Sequence, residues 1–133
     1  MTESQAQFIE RFNQGEQKMT ESQAQFIESF NEVAYRVVQN AFDKGFREHG
    51  AERNIGEELC LIHSEVSEAL EGIRRGNPTD DKISQFSSAE AELADAVIRA
   101  MDTAYARGWR LAEAIIAKHE YNLTRPRMHG KMF

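Results

Sequence analysis

One cysteine, two prolines and one tryptophan in 133 residues are informative shortages. Cys60 alone cannot form an internal disulfide, so no disulfide framework holds this fold. Set within a helical repeat, it reads as a small core or interface residue. Two prolines and eight glycines leave few breakpoints, which favours ordered helices over a loop-rich or low-complexity chain. Basic residues are also in deficit, 16 against 22 acids for a net charge of −6. That balance speaks against a general nucleic-acid binder, which requires a basic face, though not against the binding of a single nucleotide. No run of 18 apolar residues occurs and the start of the chain is polar, so neither a membrane span nor a secretion signal is expected. A cytoplasmic location follows by default. No segment alternates with period two over a useful length, and no sheet is expected.

What remains is helical. A hydrophobic content of 41% supports one domain with a modest core, and small helical domains often complete that core by oligomerising. Met1 to Phe12, MTESQAQFIERF, recurs as Met19 to Phe30, differing only at Arg11 against Ser29. Two copies make no solenoid. The second runs straight into a helical pattern, whereas the first ends in Asn-Gln-Gly-Glu-Gln-Lys, so residues 1–18 read as an added or duplicated leader and 19–133 as the domain.

Thr20 to Gln23 is a capping-box pattern, and Phe26, Ile27, Phe30, Val33, Val37, Val38, Ala41 and Phe42 follow at spacings of three and four. The first helix is expected to reach about Phe46, its aromatic stripe serving as core or subunit interface. Residues 46–53, FREHGAER, read as a loop. Asn54 to Glu57 opens a second helix that ends near Arg75, before Gly76-Asn77-Pro78. Ser87 to Glu90 opens a third, which stops at Gly108. A fourth begins near Trp109 or Arg110, where the indole is expected to pack at the helix entry, with stacking on a base as its alternative, and reaches Asn122. Pro126 closes it ahead of a basic tail.

Two acid pairs stand inside these repeats, Glu65-Val66-Ser67-Glu68 on the second helix and Glu92-Leu93-Ala94-Asp95 on the third. Residues three apart share a helix face. At about 100° per residue the stripe Ile55, Leu59, Ile62, Val66, Ala69, Ile73 defines the expected buried side of the second helix, with Glu65 roughly 80° and Glu68 roughly 140° from its centre. On the third helix the stripe is Ala89, Leu93, Ala96, Val97, Ala100, Ala104, and Glu92 and Asp95 fall at nearly the same offsets and hand. If the helices pack antiparallel, as a short connection favours, all four carboxylates converge. Four converging carboxylates repel one another and call for a cation. Oxygen ligands without Cys or His suit Mg2+ or Mn2+, ions that also bind substrate phosphates, which points to a phosphate ester or anhydride. His63 has no paired ligand nearby and reads as structural. Glu58 and Asp102, seven residues outside the pairs on about the same faces, are the weaker ligand candidates.

ExxE in Glu65–Glu68, 23 intervening residues and ExxD in Glu92–Asp95 are followed by Lys118-His119-Glu120-Tyr121-Asn122 and by Arg125-Pro126-Arg127-Met128-His129-Gly130-Lys131. With these motifs the chain resembles the MazG-like all-α nucleoside triphosphate pyrophosphohydrolases from about Phe26 to its end. The resemblance implies a four-helix bundle-type protomer that forms a dimer or dimer of dimers. It also implies Mg2+-dependent hydrolysis of a (deoxy)nucleoside triphosphate to monophosphate and pyrophosphate, in control or cleansing of the nucleotide pool. Glu65, Glu68, Glu92 and Asp95 then hold metal and serve catalysis, with the general base left open among the glutamates and a metal-bound hydroxide. Carried over by position, Lys118 and Asn122 meet phosphate and sugar or base, and Arg125, with Arg127, His129 and Lys131, contacts polyphosphate or a neighbouring subunit.

Two other readings compete. A carboxylate-bridged di-iron bundle requires Glu-x-x-His on two helices, and no ExxH occurs. A non-enzymatic helical module that oligomerises through the Phe26 to Phe46 face leaves the acids as solubilising charge.

Overall fold

The computed structural model describes residues 19–48 and 52–132. The expected leader, 1–18, lies outside them, as do His49, Gly50 and Ala51 of the first loop. Among the described residues the chain is all-helical: α1 (Glu21–Asp43), α2 (Ile55–Arg74), α3 (Ser88–Ala106) and α4 (Leu111–Leu123), then a short 3-10 turn at Arg127–Gly130. No strand occurs there, only an isolated bridge between Thr79 and Ser87. No helix among the described residues is long and apolar enough to cross a membrane.

The caps form where the sequence places them. Thr20 and Gln23 hydrogen-bond reciprocally at the start of α1. Asn54 Oδ1 accepts the Glu57 N–H ahead of α2. Ser87 and Glu90 complete a full capping box before α3, and the hydrogen bonds from Ser87 hold the Glu90 carboxyl below its usual range. Each satisfies backbone donors that a helix start leaves unpaired. α1 ends three residues earlier than expected. Gly45, at φ 77°, takes a left-handed conformation that its lack of Cβ permits, and the Phe46 and Arg47 N–H groups both turn back onto the Ala41 carbonyl.

The described residues pack as two compact units, one of those from Met19 to Val33 together with those from Gly108, the other of those between Ala34 and Arg107. In the first, Ile27 of α1 is buried against Ala112 and Ile116 of α4, with Met19 and Phe30 alongside. Burying Ile27 is worth about 1.5–3 kcal/mol. Gln23 Nε2 donates to Glu120 Oε1 across the same pair of helices.

In the second unit α2 and α3 form an antiparallel hairpin. Gly72 lies beside Ser88, Glu65 beside Arg99 and Glu58 beside Arg107. At the turn end the backbones approach closely: a Cβ on Gly72 would stand 2.7 Å from Ser88 Oγ. The connection is clasped at its base. Ser88 N–H donates to the Pro78 carbonyl, Asp80 N–H to that of Phe86, and Ala89 N–H to Asn77 Oδ1. Asp80 accepts the N–H groups of Ile83 and Lys82, which hold its carboxyl below the usual range.

The faces of this hairpin differ from expectation. The stripes read as the buried side are buried only in part: Ala69, Ala96 and Ala104 are enclosed, whereas Leu59, Val66 and Ile73 of α2 and Leu93 and Val97 of α3 are 47–55% exposed. The buried positions are those alanines together with Glu58, Glu65 and Gly72 of α2 and Ala91, Met101 and Thr103 of α3. Small residues let the helices approach, and arginines neutralise the acids there, so the carboxylates occupy the inner face. The large aliphatics sit roughly a quarter-turn round each helix. Because the helices run antiparallel, both stripes emerge on one side of the hairpin, opposite Glu68 and Asp95.

Candidate metal centre

Two adjoining carboxylate clusters occupy the hairpin. At its open end, away from the α2–α3 connection, Glu58 (3% exposed) and Asp102 meet three arginines. Arg47, from the segment after α1, donates through Nε and a terminal nitrogen to the two Asp102 oxygens at 2.8 and 2.9 Å, and to Glu58 Oε1 at 2.7 Å. Arg53 lies 3.7 Å from each carboxylate, and Arg107 pairs with Glu58 Oε2. The Asp102 hydrogen bonds raise the Arg47 pKa above its ordinary value, its charge and that of Glu58 adding to them against the effect of burial. Glu58 and Asp102 are therefore spoken for as ion-pair partners.

Nearer the middle, Glu65, Glu68 and Glu92 each bring an oxygen within 4.8 Å of the others. Glu65 is buried, Glu92 half-buried and Glu68 exposed, so the group runs from the seam to the surface. The i, i+3 pair of α2 supplies two of the three, and the antiparallel register brings Glu92 across. Glu92 shows the strain of this gathering. Its carboxyl is pushed above the ordinary 4.5, first by loss of solvent, then by the charges of Glu68 and Glu65, a hydrogen bond with Glu65, and the charge of Asp95. Asp95 itself stays exposed on α3, one turn beyond Glu92, within electrostatic reach but outside the tight trio. Arg99 completes the cluster, its Nε donating to Glu65 Oε1 at 2.5 Å.

A hard divalent cation fits this donor set. Three carboxylates offer oxygen ligands only, one is held protonated to higher pH than usual by its neighbours, and the exposed side leaves room for waters and phosphate. Comparison with protein-family models, curated proteins and solved structures finds no match to this chain.

Lys118, Asn122 and Arg125 belong to the other compact unit. Lys118 and Asn122 line a depression of about 480 Å3 along one face of α4, with Leu111, Ala114, Ile115 and His119. Among the described residues no donor meets the buried Asn122 Oδ1. The Lys118 ammonium and the Arg125 guanidinium both approach the Tyr121 ring, at 5.5 and 5.9 Å from its centre. Arg127, His129 and Lys131 follow in and after the short turn and are exposed, as are His63 on α2 and Trp109 ahead of α4.

Sequence reasoning missed Arg99, Arg47 and Glu113. Arg99 carried a usable signal, since it stands seven residues after Glu92 and so on the same helix face. Arg47 carried none: its partners are 11 and 55 residues away. Glu113, 3% exposed on the inner face of α4, is a buried acid in a helix whose weak polar patterning gives no cue.

Proposed function

We propose that this chain is a Mg2+-dependent nucleoside triphosphate pyrophosphohydrolase of the MazG-like kind, acting on (deoxy)nucleotides of the cytoplasmic pool. The observation that carries the reading is the convergence of Glu65, Glu68 and Glu92 from two antiparallel helices. Those three, with Asp95 adjacent, would hold the metal, Mn2+ being able to replace Mg2+. Bound there, the ion supplies neutralisation of phosphate charge and a lowered pKa for its water.

The chain's own groups supply the rest. Glu65, buried in the seam, is the fixed member of the cluster. Glu65, Glu68 and Glu92, gathered within 4.8 Å, are the carboxylates among which the base for the attacking water would be found. Lys118 and Arg125, gathered at Tyr121, and Asn122 lie in the other compact unit and are the residues the resemblance assigns to phosphate and to sugar or base. The open aliphatic stripe of the hairpin supports assembly into a homodimer or homotetramer, since contiguous apolar surface of this kind marks a protein interface.

The test is release of pyrophosphate and monophosphate from each common ribo- and deoxynucleoside triphosphate, with Mg2+ and with EDTA. Metal-dependent release from one or a few is expected and would name the base. No release from any, together with a melting temperature indifferent to Mg2+ and nucleotide, would overturn the reading in favour of a purely oligomeric helical module.

A further inference from the structure

Two ion clusters lie on the same helix pair, and they differ in whether their cation can leave. At Glu58 the principal arginine is packed in, the Arg47 side chain being only 8% exposed and bonded to two carboxylates at once. At Glu65 the carboxylate is 9% exposed but its arginine is 40% exposed, and Nε of Arg99 makes the single ion pair seen between them. Rotation about the bonds of its own side chain would take the Arg99 guanidinium into solvent with no movement of the helices.

We infer that Arg99 is a resident counter-cation, a positioning residue that occupies the place of charge beside Glu65 until a metal–polyphosphate complex displaces it. The inference rests on the metal-site reading above and deepens it. A bare divalent ion ligated by Glu65 would have the Arg99 charge as its neighbour across one carboxylate. That repulsion acts at short range in a partly desolvated seam, where charges are weakly screened. It holds down the affinity for the bare ion. A divalent ion carried by a triphosphate arrives as a net anion, and the same guanidinium attracts it. Arg99 would thus favour metal delivered with substrate over metal alone, and once freed from Glu65 it has phosphate oxygens to bond.

An orienting role makes the opposite prediction. If Arg99 only held Glu65 in a ligating pose, its loss would weaken metal binding by about 10–100-fold, as for other groups that orient metal ligands. The sign of the change therefore decides between the two.

The experiment is Mn2+ binding to the full chain, followed by electron paramagnetic resonance of the free ion, with and without inorganic tripolyphosphate. Wild type, Arg99→Met, Arg99→Lys and Glu68→Gln are compared. Arg99→Met is expected to bind bare Mn2+ about tenfold more tightly, the equivalent of about 1.4 kcal/mol, and to gain less from tripolyphosphate than wild type does. Arg99→Lys, which keeps the charge, is expected to stay near wild type. Unchanged or weaker binding of bare Mn2+ by Arg99→Met, in a variant whose circular dichroism is that of wild type, overturns the inference. Glu68→Gln tests the site itself: if it binds Mn2+ as wild type does, the metal-site reading fails separately. Should neither wild type nor Arg99→Met bind the ion, with or without tripolyphosphate, both fall. Binding by Arg99→Met alone, with wild type silent even in tripolyphosphate, would overturn displacement of the arginine by the metal–polyphosphate complex.

Discussion

Replacing Arg47 by methionine removes the group that ties the segment after α1 to both α2 and α3. Four hydrogen bonds go with it, two to the Asp102 carboxylate, one to the Asp102 carbonyl at 3.3 Å and one to Glu58. The side chain is almost fully enclosed, so solvent does not take over these bonds. Breaking a buried pair costs about 3–5 kcal/mol. The charge count places this substitution at the low end. Three arginines face two carboxylates, and without Arg47 two still face two through Arg53 and Arg107. Methionine also refills the volume of the aliphatic stem. The expected loss is about 3 kcal/mol, which for a domain of this size lowers the melting temperature by about 10 °C. Glu58→Gln provides the contrast. It leaves three guanidiniums with one carboxylate in the same enclosure, and its cost is expected at the upper end, about 5 kcal/mol. Urea titrations followed by far-ultraviolet circular dichroism measure both. A loss below about 1 kcal/mol for Arg47→Met, or a larger loss than for Glu58→Gln, would refute the charge accounting.

Glu68→Gln should abolish pyrophosphate release while leaving the denaturation midpoint within about 0.5 kcal/mol of wild type, because the side chain is exposed and holds no core contact; normal turnover would sink the assignment. With its pKa raised, Glu92 contributes stability to the metal-free protein that is full below the ordinary 4.5 and is lost as pH rises through the raised value. Metal binding must expel that proton, so Mn2+ affinity should climb with pH from 4.5 upward toward neutrality; a flat profile there would count against it. Leu93→Glu places a charge in the open stripe and should shift the protein to monomer in light scattering, with wild type a dimer or tetramer; a monomeric wild type would remove the basis of the prediction. Gly72→Ala should cost about 1–3 kcal/mol by prising the hairpin at Ser88, and a neutral change would mean that the serine rotates away freely.

The helices were legible because their starts are written locally. Thr20, Asn54 and Ser87 each bond a backbone N–H three residues on, and no distant residue is required for that. The acid rows were legible for the same reason, since an i, i+3 spacing fixes a shared face whatever the helix packs against. Which face turns inward was not legible. Aliphatic periodicity finds the apolar stripe but not its partner, and here the seam takes Glu65 and Glu58 because Arg99, Arg47 and Arg107 reach them from elsewhere in the chain. A rule that buries only aliphatics has no way to register such long-range neutralisation. Asp95 illustrates the finer limit: its offset matches that of Glu92 to within a turn, yet on an antiparallel neighbour one turn separates a residue in the trio from one that only feels it.

The clasp under the α2–α3 connection has a consequence for how such a chain can vary. Because Pro78 with Ser88 and Asp80 with Phe86 close the loop at its base, the bonds that align the two helix ends lie below the tip, where Lys82 and Ile83 bond back onto Asp80 and Phe86. Insertions or deletions at the tip would change the number of residues between the two acid motifs and leave Glu65, Glu68 and Glu92 facing one another as before. The interval between the motifs is then a neutral length, free to drift, while the hydrogen-bonded base and the close approach at Gly72 set the spacing that matters.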